Sequence, residues 1–243
     1  LYNGKTFLRP QSKGRKRTRP SMQARKKYQV VNDIPDKLLA VYLAAGEIAV
    51  DSELQGLKLG RDQVCLVQLC DRAGNVCLVR PLGRKAPPNL KTLMTDRGTT
   101  KVFHYALSDV AFLREGLGIA VRPFRCTKVM SKLVRTYTDQ HGLRHLVAEH
   151  LGIELDKENQ TTDWFREDLS PSQLQYAAND VLHLLAVYDW LMDMIHKRGK
   201  LPSGLTATQL HERSQAVLPT LVDLLRSGYG DRDRGWDTAV FTH

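Results

Sequence analysis

From Ile34 onward the chain alternates short apolar runs with polar turns, and the spacing within each run separates helix from strand. Residues 35–43 place Leu38, Leu39, Val41, Tyr42 and Leu43 at helical intervals behind Pro35 and predict a short amphipathic helix. Three apolar runs follow, at 46–53, 64–69 and 76–79, with turn residues at 71–75, and read as a meander of three strands. Residues 90–94 are read as helical and 101–104 as a fourth strand, and 108–116 form a helix with Val110, Leu113 and Leu117 along one side. After Pro123 only helices are predicted, at 126–136, 143–151, 171–198 and, beyond a Gly- and Pro-containing break at 199–204, at 206–226. The long helix has start chemistry of its own: Ser170 is an N-cap, Pro171 suits the first helical position, and Gln173 completes a capping box. The pattern is that of an α/β protein with a helical C-terminal half, and residues 228–243 read as an irregular extension.

Composition changes this picture mainly at the N-terminus. Residues 1–27 hold ten basic side chains and no acidic one, so they carry the whole net charge of +10, while the remaining 26 Lys and Arg balance the 26 Asp and Glu. Such a segment has too little apolar surface to fold alone and suits contact with phosphates. Lys13, Arg15, Lys16, Arg17, Arg19, Arg25, Lys26 and Lys27 are its candidate RNA- or partner-binding residues; the other reading is a solvated extension. Because the chain opens on Leu1 and its start is Arg-rich and acid-poor, a longer precursor with an organelle import signal is an expectation. No apolar run approaches the ~20 residues of a bilayer span. The four cysteines, Cys65, Cys70, Cys77 and Cys126, lie in apolar stretches without Cys-x-x-Cys spacing and are expected to be buried thiols in a reducing compartment.

Candidate chemistry lies in three places. Asp51 and Glu53, two apart at the end of a strand, share a face and suit a cation held between them; the competing reading is a solvent-facing strand end. Tyr176 and Asp180, four apart on the long helix, share a face that is otherwise largely apolar, where an ionised Asp180 needs a partner. Asp109 falls near the start of its helix, where a negative charge is favourable in any case.

With these residues the chain resembles the DEDD 3′–5′ exonucleases of the RNase D type, in the subclass with tyrosine in the third motif. The motifs are Val50-Asp51-Ser52-Glu53, Phe103-His104-Tyr105-Ala106-Leu107-Ser108-Asp109 and Tyr176-Ala177-Ala178-Asn179-Asp180, in the family's order. Connecting text such as Lys85-Ala86-Pro87, His141-Gly142-Leu143 and Thr162-Asp163-Trp164 is similar to the bacterial nano-RNase C group. The resemblance spans an exonuclease domain at 30–198 and implies an RNase H-like mixed sheet flanked by helices, while the basic extension at 1–29 and the helical C-terminal extension at 199–243 lie outside it. It also implies two-metal phosphodiester hydrolysis. Asp51 would bridge two Mg²⁺ or Mn²⁺ ions, Glu53 and Asp180 would complete the first ion's shell, Asp109 would hold the second, and Tyr176 would orient the attacking water. Leu57 is placed like the apolar residue that family members wedge against the terminal base, or is simply core. His104 touches the terminal phosphate or ribose, or is a buried structural histidine. Two departures bear on substrate grip: Leu107-Ser108 stands where that group usually has Arg-Phe, and Leu54 where it usually has Thr.

Two functions are expected from this. One is a metal-dependent 3′–5′ exonuclease acting on RNA, with short oligoribonucleotides as substrate, in the mitochondrial matrix or the bacterial cytoplasm. The other is an RNA-binding structural or assembly component of a mitochondrial ribosome that keeps the exonuclease fold, with structured rRNA or further copies of the chain as partner.

Overall fold

The computed structural model describes residues 28–156 and 162–229, so the eight basic candidates between Lys13 and Lys27 lie outside the described residues. In chain order the elements are β1 (Val30–Val31), α1 (Asp36–Ala44), β2 (Glu47–Leu54), β3 (Val64–Cys70), β4 (Val76–Val79), α2 (Pro88–Thr95), β5 (Thr100–Phe103) and α3 (Ala106–Leu117). They continue with β6 (Phe124–Cys126), α4 (Thr127–Val134), α5 (Leu143–Leu151), α6 (Pro171–Leu182), α7 (Leu184–Arg198) and α8 (Ala207–Leu224). The strands form one mixed sheet in the order β1-β4-β3-β2-β5-β6. The expected meander is present as the antiparallel pairs β2–β3 and β3–β4, while β5 and β6 extend the sheet in parallel from β2.

Side chains alternate between the two faces of each strand, and the core divides accordingly. Ile48, Val50, Val67, Leu69 and Val79 enter one cluster with α3 and with Leu218, Leu221 and Val222 of α8. Ala49, Cys70 and Val102 enter a second with α4, α5 and α7, and Leu66 and Leu78 join Trp164 and Ala177 of α6 in a third. The sheet is thus covered on both faces, as expected from the α/β reading. All four cysteines are buried and free. Among the described residues no helix is long and apolar enough to cross a membrane.

Two expectations are corrected. The segment after Pro123 is not purely helical, because Phe124–Cys126 adds the strand β6 beside β5. Three residues show no period of their own; the strand exists because β5 offers an unpaired edge. The outer side of β6 is closed by α8, whose Gln215 accepts a hydrogen bond from the Cys126 N–H at 2.8 Å and donates one to its carbonyl at 3.3 Å. Nor is 171–198 one helix. The chain turns at His183 (φ −106°, ψ −6°), since α6 lies over β2, β3 and β4 whereas α7 packs on α4, α5 and β5, directions that one straight helix cannot both follow. The predicted capping box at Ser170 and Gln173 is formed, and an equivalent one at Thr206 and Gln209 opens α8.

Candidate active site

The site lies where β2 runs out between α3 on one face of the sheet and α6 on the other. Pleating sends Asp51 and Glu53 toward α6, which brings Asp180 to them, and carboxylate oxygens of all three lie within 4.8 Å of one another. Ser52 points the opposite way, and its hydroxyl donates to Asp109 of α3 at 2.5 Å. Asp109 therefore belongs to the site but stands outside the tight trio. The Tyr176 hydroxyl donates to Asp180, and its ring leans on Trp164 with centroids 6.0 Å apart.

Burial raises every one of these acids, and the charges of neighbouring carboxylates raise Asp51 and Glu53 further. Asp51 is held well above the usual carboxylate range, first by desolvation and then by the charges of Asp109, Asp180 and Glu53. Glu53 is raised for the same reasons. Asp109 and Asp180 are pushed up to about 7 by desolvation, against the stabilising hydrogen bonds from Ser52 and Tyr176. Tyr176 is raised by burial and by the neighbouring carboxylates, so it remains a proton donor.

Four acids that cannot all ionise together fit a divalent cation, which replaces the shed protons and prefers hard oxygen ligands. A further observation agrees with a polar, charged occupant of this region. Gln68 of β3 pairs directly across from Asp51 and shares its face of the sheet, yet its buried amide has no hydrogen-bond partner among the described residues.

The carboxylates form one wall of a cleft of about 900 Å³, a size that accommodates a small oligonucleotide end. Leu57 lines this cleft and is 56% exposed, which rules out the core reading for it. His104 also lines the cleft but is tied down: its Nδ1 lies 2.9 Å from the Thr127 hydroxyl, and burial lowers its pKa to about 3, so the ring is neutral. Sequence reasoning missed several other lining residues, among them Tyr105, Lys128, Arg144 and Trp164. Tyr105 stood inside the second motif and Trp164 in a motif-like segment, but neither was singled out; Lys128 carries no spacing signal at all.

A mixed sheet ending in partly buried carboxylates, joined by one helix from each face, defines the class of metal-dependent α/β nucleases. The 3′–5′ exonuclease family model matches residues 30–196, and the chain belongs to that family, in its RNase D-like branch near nano-RNase C. Ribonuclease D of Cronobacter turicensis is 31% identical over 163 residues, 67% of this chain, and the chain spans 44% of that relative's length. Brucella melitensis NrnC with bound Mg²⁺ superposes with a TM-score of 0.75 at 34% identity, covering 88% of this chain and 97% of that one. The same protein bound to pGG gives a TM-score of 0.76 at 34% identity, over 89% and 99% of the two chains.

Proposed function

We propose that this chain is a metal-dependent 3′–5′ exoribonuclease that removes nucleotides from the 3′ ends of short RNAs by hydrolysis. The observation that carries this reading is the convergence of Asp51, Glu53 and Asp180 to within 4.8 Å at the wall of an open cleft. Asp51, Glu53, Asp109 and Asp180 would together hold divalent ions, Mg²⁺ or Mn²⁺, with Asp51 as the ligand that would be common to them. Glu53 and Asp180 would serve one ion, and Asp109 would serve the other directly or through water. Such ions, when bound, lower the barrier by activating water and by neutralising charge that builds on the phosphate. Tyr176, kept protonated by its surroundings, orients the attacking water while Asp180 accepts its hydrogen bond. Ser52 fixes the rotamer of Asp109. Leu57, exposed on the rim, contacts the terminal base, and His104 serves as a neutral structural support.

RNA as substrate is supported by the RNase D relatives and by the structure of Brucella melitensis NrnC bound to pGG. The basic extension at 1–29 is assigned to phosphate contact outside the exonuclease domain at 30–198. The segment from 199 contributes α8, which shares the core. The RNase D relatives are bacterial and accord with a bacterial cytoplasm; the mitochondrial matrix and the ribosomal-component reading gain no support from them.

The test is hydrolysis of a 5′-labelled short RNA and of a dinucleotide with Mg²⁺ or Mn²⁺, with EDTA and Asp51→Asn as controls. Stepwise, metal-dependent loss from the 3′ end is expected, reduced about 100-fold or more in Asp51→Asn. Equal activity in that variant sinks the assignment.

A further inference from the structure

The middle of the sheet holds a side chain that its surroundings leave unserved. Gln68, in β3, is 0% exposed, yet neither its amide nitrogen nor its amide oxygen has a hydrogen-bond partner among the described residues. Burying both ends of an amide unpaired is a cost that Leu or Met, of similar size, would not carry. The strand register names its neighbours on that face of the sheet. Leu78 of β4 stands across from it on one side and Asp51 of β2 on the other. Leu66 and Cys70 stand two residues away along β3. Leu66 packs with Leu78 and with Ala177 of α6, and the Cys70 thiol donates to the Asp71 carbonyl at 3.2 Å. Of these neighbours Asp51 alone offers a side-chain oxygen. The acids of the site differ in a matching way. Asp109 and Asp180 each accept from a side-chain hydroxyl, that of Ser52 and of Tyr176, whereas Asp51 accepts only from the backbone N–H of Ser52 among the described residues. A residue that breaks the local rule for a buried strand without a packing gain is expected at a functional site.

We propose that Gln68 is a positioning residue for Asp51: its amide N–H donates to the Asp51 carboxylate and holds that carboxylate in the orientation in which it takes a divalent cation. The inference rests on the metal assignment made above and concerns how tightly the site takes its ion. Directly opposed residues on adjacent strands have β-carbons about 5 Å apart, within the span of a Gln side chain. Rotation about the side-chain bonds of Gln68 therefore brings its amide to Asp51 with the backbone unmoved. A ligating carboxylate that is itself hydrogen-bonded is fixed in orientation, and removal of such a partner weakens metal binding by about 10- to 100-fold. Gln68 thus supplies to Asp51 the side-chain donor that Ser52 supplies to Asp109 and Tyr176 to Asp180.

Titration of the purified full chain with Mn²⁺, followed by calorimetry and by the paramagnetic resonance signal of the ion, tests this in Gln68→Met and Gln68→Leu, with thermal melts of each protein in EDTA alongside. Both variants remove the amide and nearly keep the volume, so the second remains should the first fail to fold. The Kd for Mn²⁺ is expected to rise about 10-fold or more in both. Tm in EDTA is expected to equal or exceed that of the wild type, because an unpaired buried amide has been removed. A role in packing alone moves the second quantity and not the first. The proposal is overturned if both variants bind Mn²⁺ as tightly as the wild type, or if both lose Tm in EDTA. Binding that needs Asp51, shown by a weaker Asp51→Asn, but ignores Gln68 overturns the proposal and leaves the metal site standing. A wild-type protein that takes up no Mn²⁺, or an Asp51→Asn variant that binds it equally well, overturns the metal site and the proposal with it.

Discussion

Without metal, the carboxylate cluster makes the fold weaken as pH rises, and the size of the effect follows from the site. The perturbation is removal of divalent ions with EDTA, followed by a change from about pH 6.5 to about pH 8.0, in a range where shifted carboxylates dominate. Asp109 and Asp180 titrate near 7 in the folded state, and Asp51 and Glu53 are raised well above their usual values, whereas all four are ordinary carboxylates when unfolded. A raised acid holds its proton longer in the native state, so the native state binds more protons than the unfolded chain and stability falls with pH. Each proton held costs about 1.36 kcal/mol per pH unit, hence about 2 kcal/mol across this interval for one proton and somewhat more if two are shed. For a domain of this size that is a drop in Tm of roughly 4–8 °C. Histidines oppose the trend at the lower end of the interval, since His141, His183 and His211 are lowered as well as His104, so the fall is read against Asp51→Asn, which keeps all four. His104, lowered to about 3, adds stability only as pH climbs toward the ordinary histidine value, mostly below the window. Lys101, whose ammonium donates to three backbone carbonyls and is lowered to about 8, adds stability only above it. Thermal melts in EDTA, repeated with Mg²⁺, provide the assay: Mg²⁺ should raise Tm, and more at pH 8.0 than at 6.5, because ligands must be deprotonated to bind it. An Asp51→Asn variant whose Tm in EDTA falls with pH as steeply as that of the wild type would refute the clustering of acids on which the metal assignment rests.

Other substitutions probe the frame around the site. A β-carbon at Gly56 would stand 2.3 Å from Asp62 Oδ2, and Asp62 cannot withdraw without losing the Lys58 N–H at 2.8 Å and the Arg61 guanidinium. Gly56→Ala should therefore displace the neighbouring Leu57, raising KM for RNA several-fold, with a stability loss of about 1–2 kcal/mol by urea unfolding. Gln215→Leu leaves both backbone groups of Cys126 unsatisfied at the sheet edge; a loss of about 2 kcal/mol in urea unfolding is expected, and an unchanged midpoint would show that α8 does not close β6.

Much of the site was legible in the chain because the relevant relations are local. A strand's period of two places Asp51 and Glu53 together and Ser52 opposite, and a helix's turn places Tyr176 over Asp180. The capping box announced where α6 begins, since a cap is made within four residues. Where the reading failed, the deciding partner lay far away in sequence. β6 is a strand only beside β5, and the helix from Pro171 stops at Leu182 because its two halves rest on different parts of the sheet.

The sequence by itself determined the carboxylate pairs, their faces and the order in which α/β elements arrive, because backbone periodicity and capping are set by neighbouring residues. Tertiary structure alone decided that Asp180 closes on Asp51 and Glu53 while Asp109 stays apart on Ser52. It alone twisted Tyr105 into a left-handed backbone beneath Lys128. These contacts join residues from 23 to 129 positions apart in the chain, where packing, and no local preference, sets the distances.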